Sequence, residues 1–299
     1  MPSRRLESEK SLPLPSSPPK SRARYPERAS FWKRIPHWLR LPYECWVYLS
    51  SLALFGIGGL IFSFLAFVIF LLLPKPLGKR VGRTTLSALF RFYTCYLQAW
   101  GLIKLDIKSV DSLAGQRGLI IVANHISLWD IVFIISRLPN VVCVAKASIM
   151  RNPIYGGFAR LAGFIPNSPH INMVKQGTKE LKSGAQLLIF PEGTRTVELP
   201  INSFKGGFAV IAKKAQAPIR TLFISATSPL LSKGWPLIKL PDFPYHYTIT
   251  SGQSFQVPAE TETRSFLKAL HCHFCKNLPA DPRSNVFAFK NPSGHHSQL

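Results

Sequence analysis

The longest apolar stretch of the chain lies near its N-terminus, where residues 45–74 contain no charged side chain. As one helix this stretch would be about 45 Å long, whereas the hydrocarbon core of a bilayer is about 30 Å thick. The excess length fits either a tilted single span or a re-entrant hairpin that breaks at Gly56-Ile-Gly-Gly59. Basic residues flank both ends, so the positive-inside rule gives no preference for a single span, which suits a re-entrant hairpin with both ends cytoplasmic. The pattern therefore predicts a membrane segment over residues 45–83.

Beyond residue 84, short apolar runs alternate with stretches of helical periodicity. The runs are typical of buried strands and cover 119–123, 141–145, 186–190 and 219–224. The helical patterns cover 84–101, 128–138, 149–161, 173–182, 206–215 and 263–276. This alternation predicts an α/β domain over residues 84–280, with a largely parallel sheet flanked by helices and an N-terminal membrane-embedded helical segment before it. In such sheets, ligands bind at the carboxyl ends of the strands.

The two ends of the chain differ in composition from this domain. Residues 1–44 are rich in Ser, Pro and charged side chains, which predicts a disordered basic arm. Trp32 and Trp38 lie among basic residues of this arm, a pattern that fits either a membrane interface or an untethered tail. Residues 281–299 are expected to form a C-terminal tail.

The charge balance narrows the class of partner. The 299 residues carry a formal net charge of +23, yet 46% are hydrophobic and the mean hydropathy is +0.12. A folded, strongly basic protein favours an anionic partner: nucleic acid, an acidic carrier or an anionic membrane. The basic residues are spread along the chain instead of clustering with aromatics on one element, which argues against nucleic-acid binding. Five scattered cysteines do not form a disulfide framework.

The first candidate for chemistry follows the predicted strand 119–123, in Asn124-His-Ile-Ser-Leu-Trp-Asp130. On one helix, residues five positions apart point about 140° away from each other, so His125 and Asp130 meet only if His125 lies in the turn before the helix. Ser127 is then the expected N-cap and Asp130 the third helical residue. The same spacing describes a purely structural capping box, which leaves two roles open for Asp130.

The second candidate follows the predicted strand 186–190, in Phe190-Pro-Glu-Gly-Thr-Arg195. A guanidinium, a hydroxyl and free backbone N–H groups at a strand's carboxyl end suit a phosphate. Phe204-Lys-Gly-Gly-Phe-Ala209 comes next, and its two glycines at a predicted helix start allow an anion to approach the backbone closely. Each segment alone describes an ordinary polar turn, but their succession predicts an anion site.

Together, Asn124-His-x-Ser-x-x-Asp130 and Phe190-Pro-Glu-Gly-Thr-Arg195 resemble the two signatures of the glycerolipid acyltransferase family, typified by bacterial 1-acylglycerol-3-phosphate acyltransferase. The resemblance covers roughly residues 85–225. It extends to the residues between and after the signatures: Lys146, Asn152-Pro153, Gly156, Gly163 and Lys205-Gly206.

The resemblance implies a membrane-bound enzyme that moves a fatty acyl chain from acyl-CoA or acyl carrier protein to the hydroxyl of a lysophospholipid. The acceptor it implies is 1-acylglycerol-3-phosphate, the product phosphatidic acid, and the location the cytoplasmic face of a bacterial inner membrane. Membrane lipid and the acyl thioester are the expected partners, without nucleic acid, metal or a further cofactor.

The resemblance also implies roles for particular residues. His125 is expected to act as general base, because a neutral imidazole can remove the acceptor's proton. Asp130 is its orienting partner, as a carboxylate is in hydrolase triads. By resemblance, the glycerol-phosphate end of the acceptor is bound by a second set of residues: Glu192, Gly193, Thr194, Arg195 and Lys205.

Two departures from the family pattern leave the acceptor open. The family usually places an arginine shortly after the position of Gly163, but this chain continues Phe-Ile-Pro-Asn-Ser-Pro169, with Arg151 and Arg160 as candidate substitutes. Pro218-Ile-Arg-Thr221 also lacks the second proline of the family's last block. Alternatives are another lysolipid, such as a lyso-ornithine lipid, or a specialised acyl chain delivered by a carrier protein.

Other functional classes have less support. His271-Cys-His-Phe-Cys275 contains a C-x-x-C pair, but no second pair follows at zinc-site spacing, so packed thiols on a helix are favoured over a metal site. The chain has neither a G-x-S-x-G elbow nor a P-loop, which argues against a serine lipase and an NTPase. A non-catalytic membrane-bound binding protein on the same fold remains the alternative from a different class.

Overall fold

The computed structural model describes residues 36–152, 154–241 and 243–284. Most of the predicted basic arm and of the predicted C-terminal tail lies outside these residues. The helices are α1 (His37–Leu72), α2 (Lys75–Ala99), α3 (Lys108–Asp111), α4 (Asp130–Ile135), α5 (Gly156–Leu161), α6 (His170–Lys182), α7 (Gly207–Ala215) and α8 (Thr263–Asn277). The strands are β1 (Ile103–Asp106), β2 (Ile120–Ala123), β3 (Val141–Ala145), β4 (Ile165–Pro166), β5 (Gln186–Ile189), β6 (Ile219–Ala226) and β7 (Tyr245–Phe255).

The strands form one sheet in the order β1-β7-β6-β2-β5-β3-β4. Strands β6, β2, β5, β3 and β4 run parallel to one another, whereas β7 runs antiparallel to β6 and pairs in parallel with β1. The predicted α/β class with a largely parallel sheet is confirmed. The sequence analysis identified four of these strands and missed β1, β4 and β7, whose short or alternating polar patterns do not form continuous apolar runs.

Helices cover both faces of the sheet, as the alternation of buried side chains along β2 shows. Ile121 and Ala123 belong to one apolar cluster, which also contains side chains of α1, α2, α4 and α5. Ile120 and Val122 belong to the other, together with side chains of α6, α7 and α8. The apolar helix α1 is therefore packed on the face opposite to α6.

Helix α1 runs unbroken through the Gly56–Gly59 segment, where the sequence had suggested a possible hairpin break. Glycine instead permits close packing here, since a Cβ on Gly59 would lie 2.7 Å from Ile154 Cγ2 and one on Gly157 2.6 Å from Ser63 Cβ. Within the described residues, α1 is the one helix with the length and composition of a membrane-crossing helix. Its outward face exposes large apolar side chains along its whole length: Trp38, Leu39, Trp46, Leu49, Ile57, Leu60, Ile61, Phe64, Leu65, Phe67, Leu71 and Leu72.

A buried ion group fixes helix α2 to helix α6. Lys79 Nζ lies 2.6 Å from Glu180 Oε1, and Arg83 Nη2 lies 2.6 Å from Glu180 Oε2. Arg83 also donates to the Asn140 side chain. Burial raises the pKa of the Glu180 carboxyl, but the hydrogen bonds and charges of the two cations outweigh it, so the net pKa lies below the ordinary value. The charged form of Glu180 therefore contributes to the attachment of α2.

Candidate active site

The two sequence motifs meet at one edge of the sheet because their strands are adjacent. His125 follows β2, the Glu192–Arg195 turn follows β5, and β2 and β5 pair in parallel. Their carboxyl ends consequently lie side by side. Thr196 joins the two turns directly, since its backbone N–H and its hydroxyl both donate to the His125 carbonyl, at 2.5 and 3.0 Å.

His125 and Asp130 form a hydrogen-bonded pair, with 2.8 Å between His125 Nδ1 and Asp130 Oδ2. Helix α4 begins at Asp130, so Asp130 is not the third helical residue and Ser127 is not the N-cap, as the spacing had suggested; residues 127–129 form a preceding turn. The reach-back bond typical of a capping box is nevertheless present, because Ser127 N–H donates to Asp130 Oδ2 at 3.0 Å. The two roles left open for Asp130 are thus combined in one carboxylate.

The Asp130 carboxylate is fully buried, and its second oxygen accepts a hydrogen bond from the hydroxyl of Tyr247 on β7, at 2.5 Å. Burial and the nearby negative charge of Asp130 hold the pKa of Tyr247 well above its usual range, so the phenol stays a donor. Tyr247 was not among the predicted site residues, because β7 was not predicted from the sequence. The alternation of tyrosine and polar residues in Tyr245-His-Tyr-Thr is the signal from which the strand was predictable.

These donors determine the orientation of the imidazole. Asp130 accepts from Ser127 and Tyr247, so it also acts as acceptor toward His125, and Nδ1 carries the hydrogen. Nε2 is then the basic nitrogen. The ring stacks on Phe190 with 4.2 Å between ring centroids, and the side chain remains 17% exposed. The arrangement presents one oriented, accessible base at the sheet edge.

Asn124 acts within the fold. Its side chain is fully buried, donates to the Ile224 carbonyl at 2.9 Å and accepts from the Ile224 N–H at 2.7 Å, so it bridges the ends of β2 and β6. This bridge fixes the point at which His125 leaves the sheet.

Glu192 also has its hydrogen-bonding capacity directed to the protein. Oε1 accepts from His125 N–H at 2.8 Å and from the Thr196 hydroxyl at 3.0 Å, and Oε2 accepts from Asn202 N–H at 3.0 Å. Burial raises the pKa of this carboxyl, although the three hydrogen bonds oppose the increase. These bonds hold the two motif turns together, so Glu192 has a positioning role. The motif resemblance implied a contact of Glu192 with the acceptor and did not indicate this role.

Two cations lie at the Glu192–Arg195 turn: Arg195 is on the turn itself, which also carries the half-buried Thr194, and Lys205 reaches it from the segment before α7. Gly193 adopts a left-handed φ of 68°, which favours glycine, and the Lys205 side chain lies over it, since a Cβ there would be 2.8 Å from Lys205 Nζ. Arg195 Nη1 donates to the carbonyls of Leu231 and Ser232 at 2.7 and 3.0 Å, while Nε and Nη2 have no hydrogen bond to the described residues. Lys205 and Arg195 thus supply positive charge beside the His125 turn.

The segment between β6 and β7, residues 227–244, supports this site with three successive backbone carbonyls. The Leu230 carbonyl accepts from the Ser127 hydroxyl, that of Leu231 accepts from both Leu128 N–H and Arg195, and that of Ser232 accepts from Arg195. Leu231 has a left-handed φ of 55°, uncommon for a residue with a side chain, and its two carbonyl bonds help to hold that conformation. The sequence analysis did not connect this segment with the site.

The other candidates from the sequence lie elsewhere. Arg160 donates to the Met150 carbonyl, and within the described residues no hydrogen bond or ion pair joins Arg151 or Arg160 to either motif. On α8, His271 Nδ1 and Cys275 Sγ are 3.6 Å apart. No group of three or more metal-ligand side chains is placed to hold an ion in the part of the chain that the structure describes.

Comparison with known proteins relates this site to one family. Residues 104–225 match the family model described as Acyltransferase. A chloroplastic 1-acyl-sn-glycerol-3-phosphate acyltransferase of Brassica napus is 26% identical over 137 residues, which cover 44% of this chain and 40% of that protein. The enzyme of the same name from Helicobacter pylori is 31% identical over 144 residues, covering 45% and 58%. The Brassica napus relative is thus matched over less than half of its length and the Helicobacter pylori relative over less than two thirds, and the predicted resemblance is confirmed at the level of the family.

Two longer matches extend beyond the family segment. The 1-acyl-sn-glycerol-3-phosphate acyltransferase of Cocos nucifera is 27% identical over 236 residues, covering 76% of this chain and 74% of that protein. The crystal structure of the 1-acyl-sn-glycerophosphate acyltransferase PlsC from Thermotoga maritima superimposes with a TM-score of 0.59 at 19% identity, covering 81% of this chain and 95% of that one. The second match shows a shared fold.

Proposed function

We propose that this chain, in which residues 104–225 carry an acyltransferase-family domain, is a membrane-bound O-acyltransferase. It transfers a fatty acyl group from an acyl thioester to the free hydroxyl of a lysophospholipid. The acceptor we propose is 1-acylglycerol-3-phosphate, the substrate in the names of the relatives, which would give phosphatidic acid. The donor is acyl-CoA or acyl carrier protein, and the reaction needs no metal or further cofactor.

The observation that carries this proposal is the oriented His125–Asp130 pair, whose partly exposed imidazole lies at the sheet edge shared by the two motif turns. Nε2 removes the acceptor's hydroxyl proton as the oxygen attacks the thioester carbonyl, and a C–O bond forms. Collapse of the tetrahedral intermediate breaks the C–S bond. The imidazolium returns its proton to the departing thiolate, and Asp130 stabilises the charged ring between these steps. No acyl-enzyme is needed, because the acceptor oxygen attacks the thioester directly. The Ser127 hydroxyl is not free to act as a nucleophile, since it donates to the Leu230 carbonyl.

The acceptor's charge is matched by Arg195 on the turn after β5 and by Lys205 on the segment before α7. Arg195 offers Nε and Nη2, and Lys205 its ammonium group, to an anionic headgroup that brings the hydroxyl toward His125. A headgroup phosphate suits these donors. Another anionic lysolipid would use the same pair, so the assay below includes several headgroups.

Helix α1 and the net charge of +23 support the proposed location at an anionic membrane. The cytoplasmic face of a bacterial inner membrane offers both an anionic surface and a pool of acyl thioesters. Relatives from bacteria and from chloroplasts are both among the matches.

The direct test is turnover by the full chain in lipid vesicles. Radiolabelled acyl-CoA and acyl carrier protein are each supplied with lysolipids of different headgroup, and labelled diacyl product is measured. His125→Ala is expected to lower kcat by about 10²–10⁴-fold, the range for a positioned acid–base group. His170→Ala, which removes an exposed imidazole from α6, is the matched control and is expected to leave kcat unchanged.

The outcomes separate this proposal from its alternative. Product formation that survives His125→Ala would refute the assigned base. Absence of product with every donor and acceptor, accompanied by saturable lysolipid binding, would instead favour a non-catalytic membrane-bound binding protein.

A further inference from the structure

The turn between β6 and β7 presents an unusual amount of apolar surface to solvent. We define the β6–β7 tip as residues 233–240, Lys-Gly-Trp-Pro-Leu-Ile-Lys-Leu. Ile238 is 85% exposed and Leu237 is 59% exposed. Neighbouring apolar residues of this size are seldom left in water on a loop without a partner surface.

The charges of the tip are all positive. Lys233 and Lys239 are both exposed, and Lys239 Nζ lies 4.9 Å from the ring centroid of Trp235. Carboxylates are few in the neighbouring sequence, because residues 199–241 contain neither Asp nor Glu, and Asp242 follows them directly. Apolar side chains flanked by lysines and an amphipathic tryptophan are the composition of a segment that lies in the headgroup region of an anionic bilayer.

The tip is continuous with the apolar helix α1. The Tyr48 hydroxyl of α1 donates to the Leu237 carbonyl at 2.9 Å, and Trp235 packs against the same apolar cluster as Tyr48. At this end of α1, Trp46 contacts Trp100 edge to face, and both rings are partly exposed. Tryptophans at one level along an apolar helix are typical of a membrane–water interface.

The tip is also attached to the candidate active site. Its base is the Leu230–Ser232 stretch, whose carbonyls accept hydrogen bonds from the two motif turns. Anything that holds the tip therefore also fixes the position of Arg195.

From these observations we propose that the β6–β7 tip is a second membrane contact, in which Leu237 and Ile238 insert into an anionic bilayer and the two lysines bind lipid headgroups. The inference rests on the proposed function and deepens it. Helix α1 anchors the chain, and the tip sets the level of the acceptor-binding turn at the lipid surface, from which the lysolipid enters.

An acidic carrier protein is the other partner that a basic apolar surface would suit. The bilayer is favoured because the tip shares its apolar surface with α1, whose outward face has the composition of a membrane helix, and because tryptophans lie around the junction. A docking site for a hydrophilic carrier would not need Ile238 beside such a helix.

Photo-crosslinking tests the contact without relying on activity. The full chain carries benzoylphenylalanine in place of Ile238 and is reconstituted in vesicles of phosphatidylcholine and phosphatidylglycerol. We expect phospholipid adducts at this position. The matched control replaces Ile171, which is 77% exposed on α6 at the opposite face of the sheet, and is expected to give few adducts. Equal crosslinking at positions 238 and 171 would overturn the proposal even if the chain proves to be an active acyltransferase.

Kinetics give the second test. Ile238→Asp is expected to raise the apparent KM for acceptor embedded in these vesicles by about fivefold or more, since an inserted isoleucine contributes a large part of a small anchor's binding. Activity toward a short-chain acceptor, dissolved below its micelle concentration, is expected to stay within twofold of the parent chain. Ile171→Asp should change neither.

Two outcomes would contradict the proposal. An equal loss with dissolved acceptor would show that the substitution disturbs the catalytic turn and that insertion is not what was lost. A selective rise in the KM for the carrier-bound donor would assign the tip to the carrier protein. If no variant or parent shows turnover, the proposed function fails, whereas the crosslinking result still decides the membrane contact.

Discussion

Replacement of Tyr247 by phenylalanine tests whether the orientation of Asp130 matters to the proposed reaction. The change removes one oxygen and leaves the ring in place on β7, where it packs edge to face against Phe133. Asp130 Oδ1 then loses its 2.5 Å hydrogen bond inside a site from which water is excluded, while Oδ2 keeps His125 and Ser127. The carboxylate is expected to rotate or to draw His125 into a different position.

The size of the effect follows from the bond that is removed. A hydrogen bond to a charged group contributes about 1.5–3 kcal/mol, and each 1.4 kcal/mol of lost transition-state stabilisation lowers a rate about tenfold. If about half of this contribution orients the imidazole, kcat falls by about 3- to 10-fold. The acceptor KM should stay within twofold, because Tyr247 is fully buried and its hydroxyl donates to Asp130, not to an acceptor-binding group.

Initial rates at saturating donor, measured over a range of acceptor concentrations, give kcat and KM separately. Tyr245→Phe is the matched control: it lies on the same strand, is equally buried, and its hydroxyl makes no hydrogen bond to Asp130. An unchanged kcat in Tyr247→Phe, or an equal fall in both variants, would refute the role of the Tyr247–Asp130 bond. A fall in thermal stability alone would assign Tyr247 to the fold.

Two further predictions concern charged groups. Arg195→Ala is expected to raise the acceptor KM by about 10- to 100-fold with a smaller change in kcat, because one charge-assisted contact is lost. The vesicle assay measures both constants, and Arg195→Lys is expected to restore part of the affinity. Glu180→Gln is expected to lower the free energy of unfolding by about 3 kcal/mol at pH 7, because Arg83 is left buried without its counter-charge. The pKa of Glu180 in the folded chain lies below its ordinary value of 4.5. Its contribution to the free energy of unfolding is therefore complete above pH 4.5 and disappears as the pH falls through the folded pKa. Thermal unfolding in detergent should show the stabilities of parent and variant converging in acid.

Each of these has a clear contradicting result. An acceptor KM that stays unchanged in Arg195→Ala would remove Arg195 from the anion site; Arg137→Ala, which breaks an exposed pair with Asp111, is the control for lost charge. Parent and Glu180→Gln chains that differ equally at pH 7 and pH 3 would show that the carboxyl does not titrate in this range. Asp111→Asn should destabilise little, because exposed pairs contribute less than about 1 kcal/mol.

Much of the fold was predictable because the central strands are buried on both faces and therefore read as continuous apolar runs. Val141–Ala145 was predicted with its observed bounds, and the other three identified strands differ by only one or two residues at their ends. Strand β7 was not predicted, because its second half is polar and has no apolar face. Ser251 and Gln253 stand there at positions where a half-buried strand would carry apolar side chains. The same omission concealed Tyr247.

For the candidate site, the sequence indicated which side chains lie close together. It did not indicate which hydrogen bonds keep those side chains in position. The five-residue spacing predicted that His125 precedes a helix, and the structure places it there, 2.8 Å from Asp130. That Glu192 is occupied by backbone N–H groups, and Arg195 by the carbonyls of residues 231 and 232, depends on contacts between segments far apart in the chain. Such contacts are set by the packed sheet, and a local pattern does not contain them.

The shared core of α1 and the sheet has a practical consequence for anyone who trims the chain. Val47, Tyr48 and Phe62 of this helix are buried in the cluster that also contains Ile121 and Trp129. Deleting the helix to obtain a water-soluble catalytic fragment would uncover that interior, and the fragment would be expected to aggregate. Detergent or nanodisc preparations of the intact polypeptide are the appropriate starting material for enzymology.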